Sequence, residues 1–142
     1  LRQQPVARDL RIVTTALKIV STAAPQGNDE VERFDTPRED ILAMARWAYE
    51  NKYGSLTIQS GERQDEAFID YVEGLIHDIK KLSDGKLGLT LCVGEQTEDT
   101  YRRWFEAGAH RYLLRIETSS PAHYARLHPA KQSFAARVDC LK

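Results

Sequence analysis

"GKLGLTLCVGEQTEDTYRRWFEAGAHRYLLRIETSSP", residues 85–121, runs from strand period to helix period and back again. "LGLTLCV" (87–93) is a short apolar run of the kind a buried strand needs. A helix follows over Thr97–Ala107, with Tyr101, Trp104 and Phe105 on its apolar side. "RYLLRIE" (111–117) returns to strand character, and Ser120 and Pro121 then open another helix. Within that last strand Arg115 and Glu117 follow the apolar pair Leu113 and Leu114. Alternation along a strand sets Leu113, Arg115 and Glu117 on one face and Leu114 and Ile116 on the other, so the charged pair belongs near the mouth of the sheet.

The same alternation extends upstream. "SLTIQ" (55–59) reads as a strand, and a helix from about Asp65 to Leu82 carries Phe68, Tyr71, Val72, Leu75, Ile76 and Ile79 on one side. Asp84 and Gly85 supply the turn before the next strand. In "DTPRED", Thr36 suits a cap, Pro37 the first helical position and Glu39 the closing residue of a capping box. Ile41, Leu42, Ala45, Ala48 and Tyr49 line that helix, which Gly54 ends. Leu10, Val13, Leu17 and Val20 recur at helical spacing, so a helix is expected there, followed by the loop "STAAPQGNDE". Ser133 caps a last helix whose Phe134, Val138 and Leu141 face inward. Repeated strand–helix units imply an α/β fold on a parallel sheet. The strands end in "QSGE" (59–62), "CVGE" (92–95) and "RIETSS" (115–120), and in such folds these ends share the rim where ligands bind.

Composition narrows the function classes. The 142 residues are 42% hydrophobic and 29% charged, enough for one globular domain with a core but short for a closed barrel. A net charge of -1 with mixed signs argues against nucleic acid as a partner. No run approaches the about 20 apolar residues of a membrane span. The opening stretch has a basic start, but Arg11 and Lys18 interrupt what a signal peptide would keep apolar. Cys92 and Cys140 are the only cysteines, too few for a disulfide framework or a zinc site, so a reducing, cytoplasmic setting is expected. The chain begins without Met, which fits a fragment or a processed product. His77, His110, His123 and His128 lack metal-ligand spacing.

From about Arg33 to Leu141 the chain resembles the biotin synthase-like branch of the radical SAM enzymes, nearest the FeFe-hydrogenase maturases. The carriers are "VERFDTPREDILAMA", "LTIQSGE", "LTLCVGE", "WFEAGAHRYLLRIETSSPAHYARLHP" and "FAARVDCL", in that order and spacing. The resemblance implies a parallel βα barrel of the TIM type, here partial with three to four βα units. It implies S-adenosylmethionine and an iron–sulfur cluster at the strand C-termini, and reductive cleavage of that cofactor to attack a small-molecule substrate. It also divides the chain into 1–32, an N-terminal helix with a degenerate cluster-loop region, and 33–142, the partial barrel.

Carried across on matching motifs, Ser60, Gly61 and Glu62 meet the amino group of the methionine moiety through the backbone. Glu117 contacts the cofactor at the end of the fourth barrel strand, and Arg137 receives its carboxylate. Cys92 stands where the maturases have serine, which weakens one polar contact. The alternatives are bland: a turn at "QSGE", an ion pair of Glu117 with Arg115 or a neighbour, a solvated Arg137, and packed thiols at Cys92 and Cys140. One departure is larger. The family's CxxxCxxC loop holds the cluster, and the corresponding "KIVSTAAPQG" contains no cysteine. No metal ligand and no catalytic residue can therefore be assigned, and the chain as given is expected to be inactive in radical chemistry. A cluster-free remnant that binds S-adenosylmethionine or a nucleotide, and a structural or assembly fragment, are the competing readings. An unclosed barrel edge would favour self-association.

Overall fold

The computed structural model describes residues 36–128, 130 and 132–142, together with the backbone of residues 15–18. Four parallel strands lie in sequence order, β1 (Thr15–Lys18), β2 (Ser55–Gln59), β3 (Gly88–Cys92) and β4 (Arg111–Tyr112). Between and after them run α1 (Arg38–Glu50), α2 (Glu66–Leu82), α3 (Glu98–Ala107), α4 (Pro121–Leu127) and α5 (Phe134–Asp139). Parallel strands cannot be joined by hairpins, so each crossover must travel back along the sheet, and the helices supply that return. Strand order equal to chain order is the arrangement of a βα barrel wall, here a partial one.

Strand alternation sets the two faces. Leu56, Ile58, Leu89 and Leu91 are buried and join Ile41, Ala45, Val72, Leu75, Ile76 and Trp104 in the helix-side core. Thr57, Gln59 and Cys92 point to the other face, the side that lines the lumen in a closed barrel, and they too are buried. Asp65 accepts from Phe68 N–H at the start of α2, and Thr97 and Ser133 cap α3 and α5 in the same way. Trp104 fills the space between α2 and α3 and donates its indole N–H to Ile69 O at 3.2 Å. Arg103 reaches from α3 to Glu66, Asp70 and Glu73 along α2, tying the outer faces of the two helices.

Three expectations are corrected. Leu17, expected on a helix, lies in β1, where it pairs with Ile58; Leu10, Val13 and Val20 lie outside the described residues. A four-residue strand inside a parallel sheet is specified by its neighbour, and its own apolar spacing is too short to distinguish the periods. α1 begins at Arg38 with Pro37 as the capping residue at ψ 142, so no side-chain capping box forms. Its end also comes early: Lys52 takes the left-handed conformation at φ 66, ahead of Gly54. The strand expected over 111–117 forms ladder only at Arg111–Tyr112, extended by Leu113 N–H bonding to Leu91 O. Beyond that point β3 has ended and offers no further partners, although Leu113, Arg115 and Glu117 stay exposed and Leu114 and Ile116 half-buried. No helix among the described residues is long and apolar enough to cross a membrane.

Candidate functional site

β2 and β3 pair in register through Gln59 and Cys92, so the segments that follow them leave the sheet side by side. Ser60 N–H continues the ladder by donating to Cys92 O at 3.2 Å. The two loops are then stitched together by Gln96, whose side-chain amide donates to Arg63 O at 2.7 Å and Val93 O at 3.3 Å, and by Gln64, which donates to Glu95 O. The side chain of Glu62 crosses directly over Gly94. A Cβ at that glycine would stand 2.3 Å from Glu62 Cγ, and its φ of +85° is one that other residues adopt at a cost. Gly94→Ala should therefore destabilise the chain by about 1–2 kcal/mol and displace Glu62. A chemical-denaturation midpoint equal to wild type would refute this.

Two tyrosines support the second loop from beneath. Tyr112 donates its hydroxyl to Gly94 O at 2.5 Å, and Tyr101 accepts from Gln96 N–H at 3.1 Å, the rings meeting edge to face. Burial pushes the Tyr101 phenol up from its ordinary 10 to about 12, against the smaller opposing pull of the Gln96 N–H. Because the folded state favours the neutral phenol, its contribution is complete below pH 10 and is lost as pH climbs through about 12. Alkaline titration should show Tyr101 phenolate absorbance appearing late, together with loosening of residues 93–96. Ionisation at the ordinary value with no structural change would contradict this.

Arg137 completes the rim. It stands on α5, is only 5% exposed, and reaches both loops at once. Nη2 lies 3.3 Å from Glu62 Oε2, Nε lies 2.9 Å from Glu95 Oε1, and Nε also donates to Tyr124 O–H at 3.1 Å. Burial opposes the charge, but the Tyr124 hydroxyl and the two carboxylates outweigh it and hold the guanidinium's pKa above its usual value. Tyr124 is itself fixed, stacked on His128 at 3.8 Å and edge-on to Phe134 at 5.5 Å.

The residues singled out in the sequence fall as follows. Ser60 is buried and donates its hydroxyl to Gly61 O; Gly61 is buried beside it. Glu62 and Arg137 are brought together as an ion pair. Cys92 is buried at the end of β3, where burial raises its thiol pKa while Arg115 works in the opposite direction. Glu117 is exposed at φ 62, at the centre of a tight turn in which Thr118 N–H bonds Ile116 O, and it forms no ion pair with Arg115. Glu95 and Tyr124 were not singled out. Glu95 had a legible signal, since Gly-Glu recurs after both strands; Tyr124 had none beyond its place on an amphipathic turn.

The thiolates for an iron–sulfur cluster are missing. The stretch "KIVSTAAPQG" lies outside the described residues but has no cysteine in its sequence. Among the described residues no group of three or more His, Cys, Asp or Glu side chains could hold a metal ion. Cys92 ends an inner strand and Cys140 caps α5, so the donor set does not fit a cluster that needs contiguous thiolate ligands.

No protein-family model matches the chain. It is 36% identical over 115 residues to the FeFe-hydrogenase maturase subunit HydE of Thermotoga maritima, a match covering 80% of this chain and 31% of that protein. It is 31% identical over 106 residues to the biotin synthase of Bacillus cytotoxicus, covering 74% of this chain and 31% of that one. The chain thus spans about a third of the length of these relatives. In three dimensions it is similar to methylornithine synthase (PylB), with a TM-score of 0.77 at 18% identity, over 90% of this chain and 40% of the other. The FeFe-hydrogenase maturase HydG from Carboxydothermus hydrogenoformans gives a TM-score of 0.77 at 18% identity, over 90% and 32%. At that identity these two likenesses speak for the fold alone. Sequence and fold agree: the chain is a partial βα barrel that belongs to the biotin synthase-like branch of the radical SAM superfamily and is similar to HydE within it.

Proposed function

We propose that this chain is the S-adenosylmethionine-binding part of a radical SAM protein of the hydrogenase-maturase type, and that as it stands it binds the cofactor without cleaving it. The observation that carries the reading is the burial of Arg137 at the strand-end rim, where a guanidinium can receive a carboxylate in bidentate fashion. The backbone of Ser60, Gly61 and Glu62 would meet the amino group at the other end of the same amino-acid moiety. Cys92 lines the floor of the site, and Glu117, exposed on the open face, would accept from ribose hydroxyls or face a cationic group. The small-molecule substrate of the whole protein belongs to the same proposal and is not specified by these residues.

Calorimetric titration with S-adenosylmethionine tests the reading. The wild-type chain should bind, and Glu117→Gln should bind about tenfold more weakly if one charge-assisted hydrogen bond is lost. Equal affinities would leave Glu117 outside the ligand's reach, and no binding by wild type would sink the reading. Self-association through the open sheet is a separate proposal, motivated by exposed Leu113, Leu127 and Leu141. A single monomeric species in sedimentation would dispose of it.

A further inference from the structure

The rim contains a feature that the cofactor reading does not require. Gly61-Glu62 after β2 and Gly94-Glu95 after β3 are equivalent steps on neighbouring registered strands, and both carboxylates turn to one guanidinium. They do so unequally. Tyr124 accepts the Nε hydrogen bond at 3.1 Å and Glu95 Oε1 stands 2.9 Å from the same nitrogen as an ion-pair partner without a hydrogen bond of its own, whereas Glu62 accepts from Nη2 at the longer 3.3 Å. Nη1 donates no hydrogen bond among the described residues, so one side of the fork is anchored and the other is lightly held or open. An arginine has many rotamers to lose on binding an anion, and one whose Nε edge is already fixed loses fewer of them. The anchoring is itself supported, because Tyr124 is buried, stacked on His128 and braced by Phe134.

We infer that Tyr124 and Glu95 are positioning residues: together they fix the Nε edge of Arg137 so that its Nη edge is presented to the carboxylate of the bound ligand. This inference rests on the S-adenosylmethionine reading above. In it Glu62 is the contact that an incoming carboxylate displaces, while Glu95 and Tyr124 stay in place. Neither positioning residue touches the ligand, and each acts through Arg137.

The test uses the full chain, the variants Tyr124→Phe and Glu95→Gln, and two probes. S-adenosylmethionine carries the carboxylate; 5′-methylthioadenosine keeps the nucleoside and lacks it. Each variant should bind S-adenosylmethionine about tenfold more weakly, with 5′-methylthioadenosine affinity changed less than about twofold. Tyr124→Phe keeps the ring and its stacking, and Glu95→Gln keeps the side chain's shape, so failure of one variant to fold leaves the other to decide. A parallel loss for both probes would mean that the two residues only support the rim, and unchanged S-adenosylmethionine binding would mean that they do not act on Arg137; either overturns the inference. A second arm needs no ligand. Nitrogen-15 spectra should show the Arg137 Nε–H protected from exchange in wild type and exchanging about tenfold faster in Tyr124→Phe, and equal rates would overturn the positioning. If wild type binds neither probe, the cofactor reading fails, and the exchange rates decide the positioning by themselves.

Discussion

Arg137→Met should lower the unfolding free energy by about 3 kcal/mol, because it removes the cation that pairs with two carboxylates already largely out of water. The side chains of Glu62 and Glu95 keep 25% and 18% of their exposure, and that of Arg137 keeps 6%. With the guanidinium gone, two like charges face each other and lose the cation they share. Desolvation that was offset by attraction becomes a net penalty, and Tyr124 O–H loses its donor as well. For a chain of this length the loss corresponds to a fall of roughly 10 °C in the melting temperature. Adding Glu62→Gln and Glu95→Gln to Arg137→Met removes the repulsion and should restore most of the stability. Thermal melts of wild type, single and triple variants decide the matter. A single variant that melts with wild type would show that water reaches the pair more freely than the burial of Arg137 implies, and a triple variant as weak as the single would assign the loss to packing of the arginine stem.

Much of the fold was legible because two periods alternate along the chain. α2 and α3 have their caps and apolar stripes where the spacing of residues 65–82 and 97–107 requires, and β2 and β3 are the short apolar runs between them. What failed was local pattern under tertiary control. Leu17 fits a helical stripe only if the flanking residues share one element, and four strand residues cannot outvote that spacing until β2 supplies hydrogen-bond partners. β4 fails in the opposite sense. "RYLLRIE" has strand alternation throughout, and its exposure still alternates, but a ladder needs two strands and β3 stops at Cys92. The chain then bends at Glu117, a non-glycine residue in the left-handed region, a conformation that no propensity would select.

The site divides along similar lines. Ser60, Gly61 and Glu62 could be placed on a rim because every strand C-terminus in a parallel sheet faces the same way. That Glu62 and Arg137, 75 residues apart, form a part-buried pair could not be read from periodicity, since charged residues on an amphipathic helix are ordinarily solvated. Glu95 became meaningful only when the register of β2 and β3 set the two Gly-Glu steps side by side. Tyr124 needed the turn of α4 that brings its hydroxyl beneath Arg137.

Anaerobic reconstitution of this chain with iron and sulfide should yield no 5′-deoxyadenosine from S-adenosylmethionine, even where calorimetry shows that the cofactor binds. In the reading proposed above, binding and reaction separate because they draw on different residues. On that proposal the amino acid and nucleoside would be held by the backbone loops, Arg137 and Glu117, and the sequence has all of them. Electron delivery requires a cluster, and a cluster requires thiolates that converge on iron. The chain has two cysteines. Cys92 is buried, its thiol held in the protonated form by desolvation against the weaker influence of Arg115, and Cys140 follows α5 at the other end of the sequence with its sulfur 4.0 Å from Gln96 O. Two thiols on different elements leave at least one ligand position of a three-cysteine set without a donor, and no imidazole or carboxylate group among the described residues makes up the number. Iron retained after desalting should accordingly stay well below one cluster per chain. Cluster-dependent formation of 5′-deoxyadenosine would show that ligands from another polypeptide or a small thiol complete the set, and would return the chain to the ranks of active enzymes.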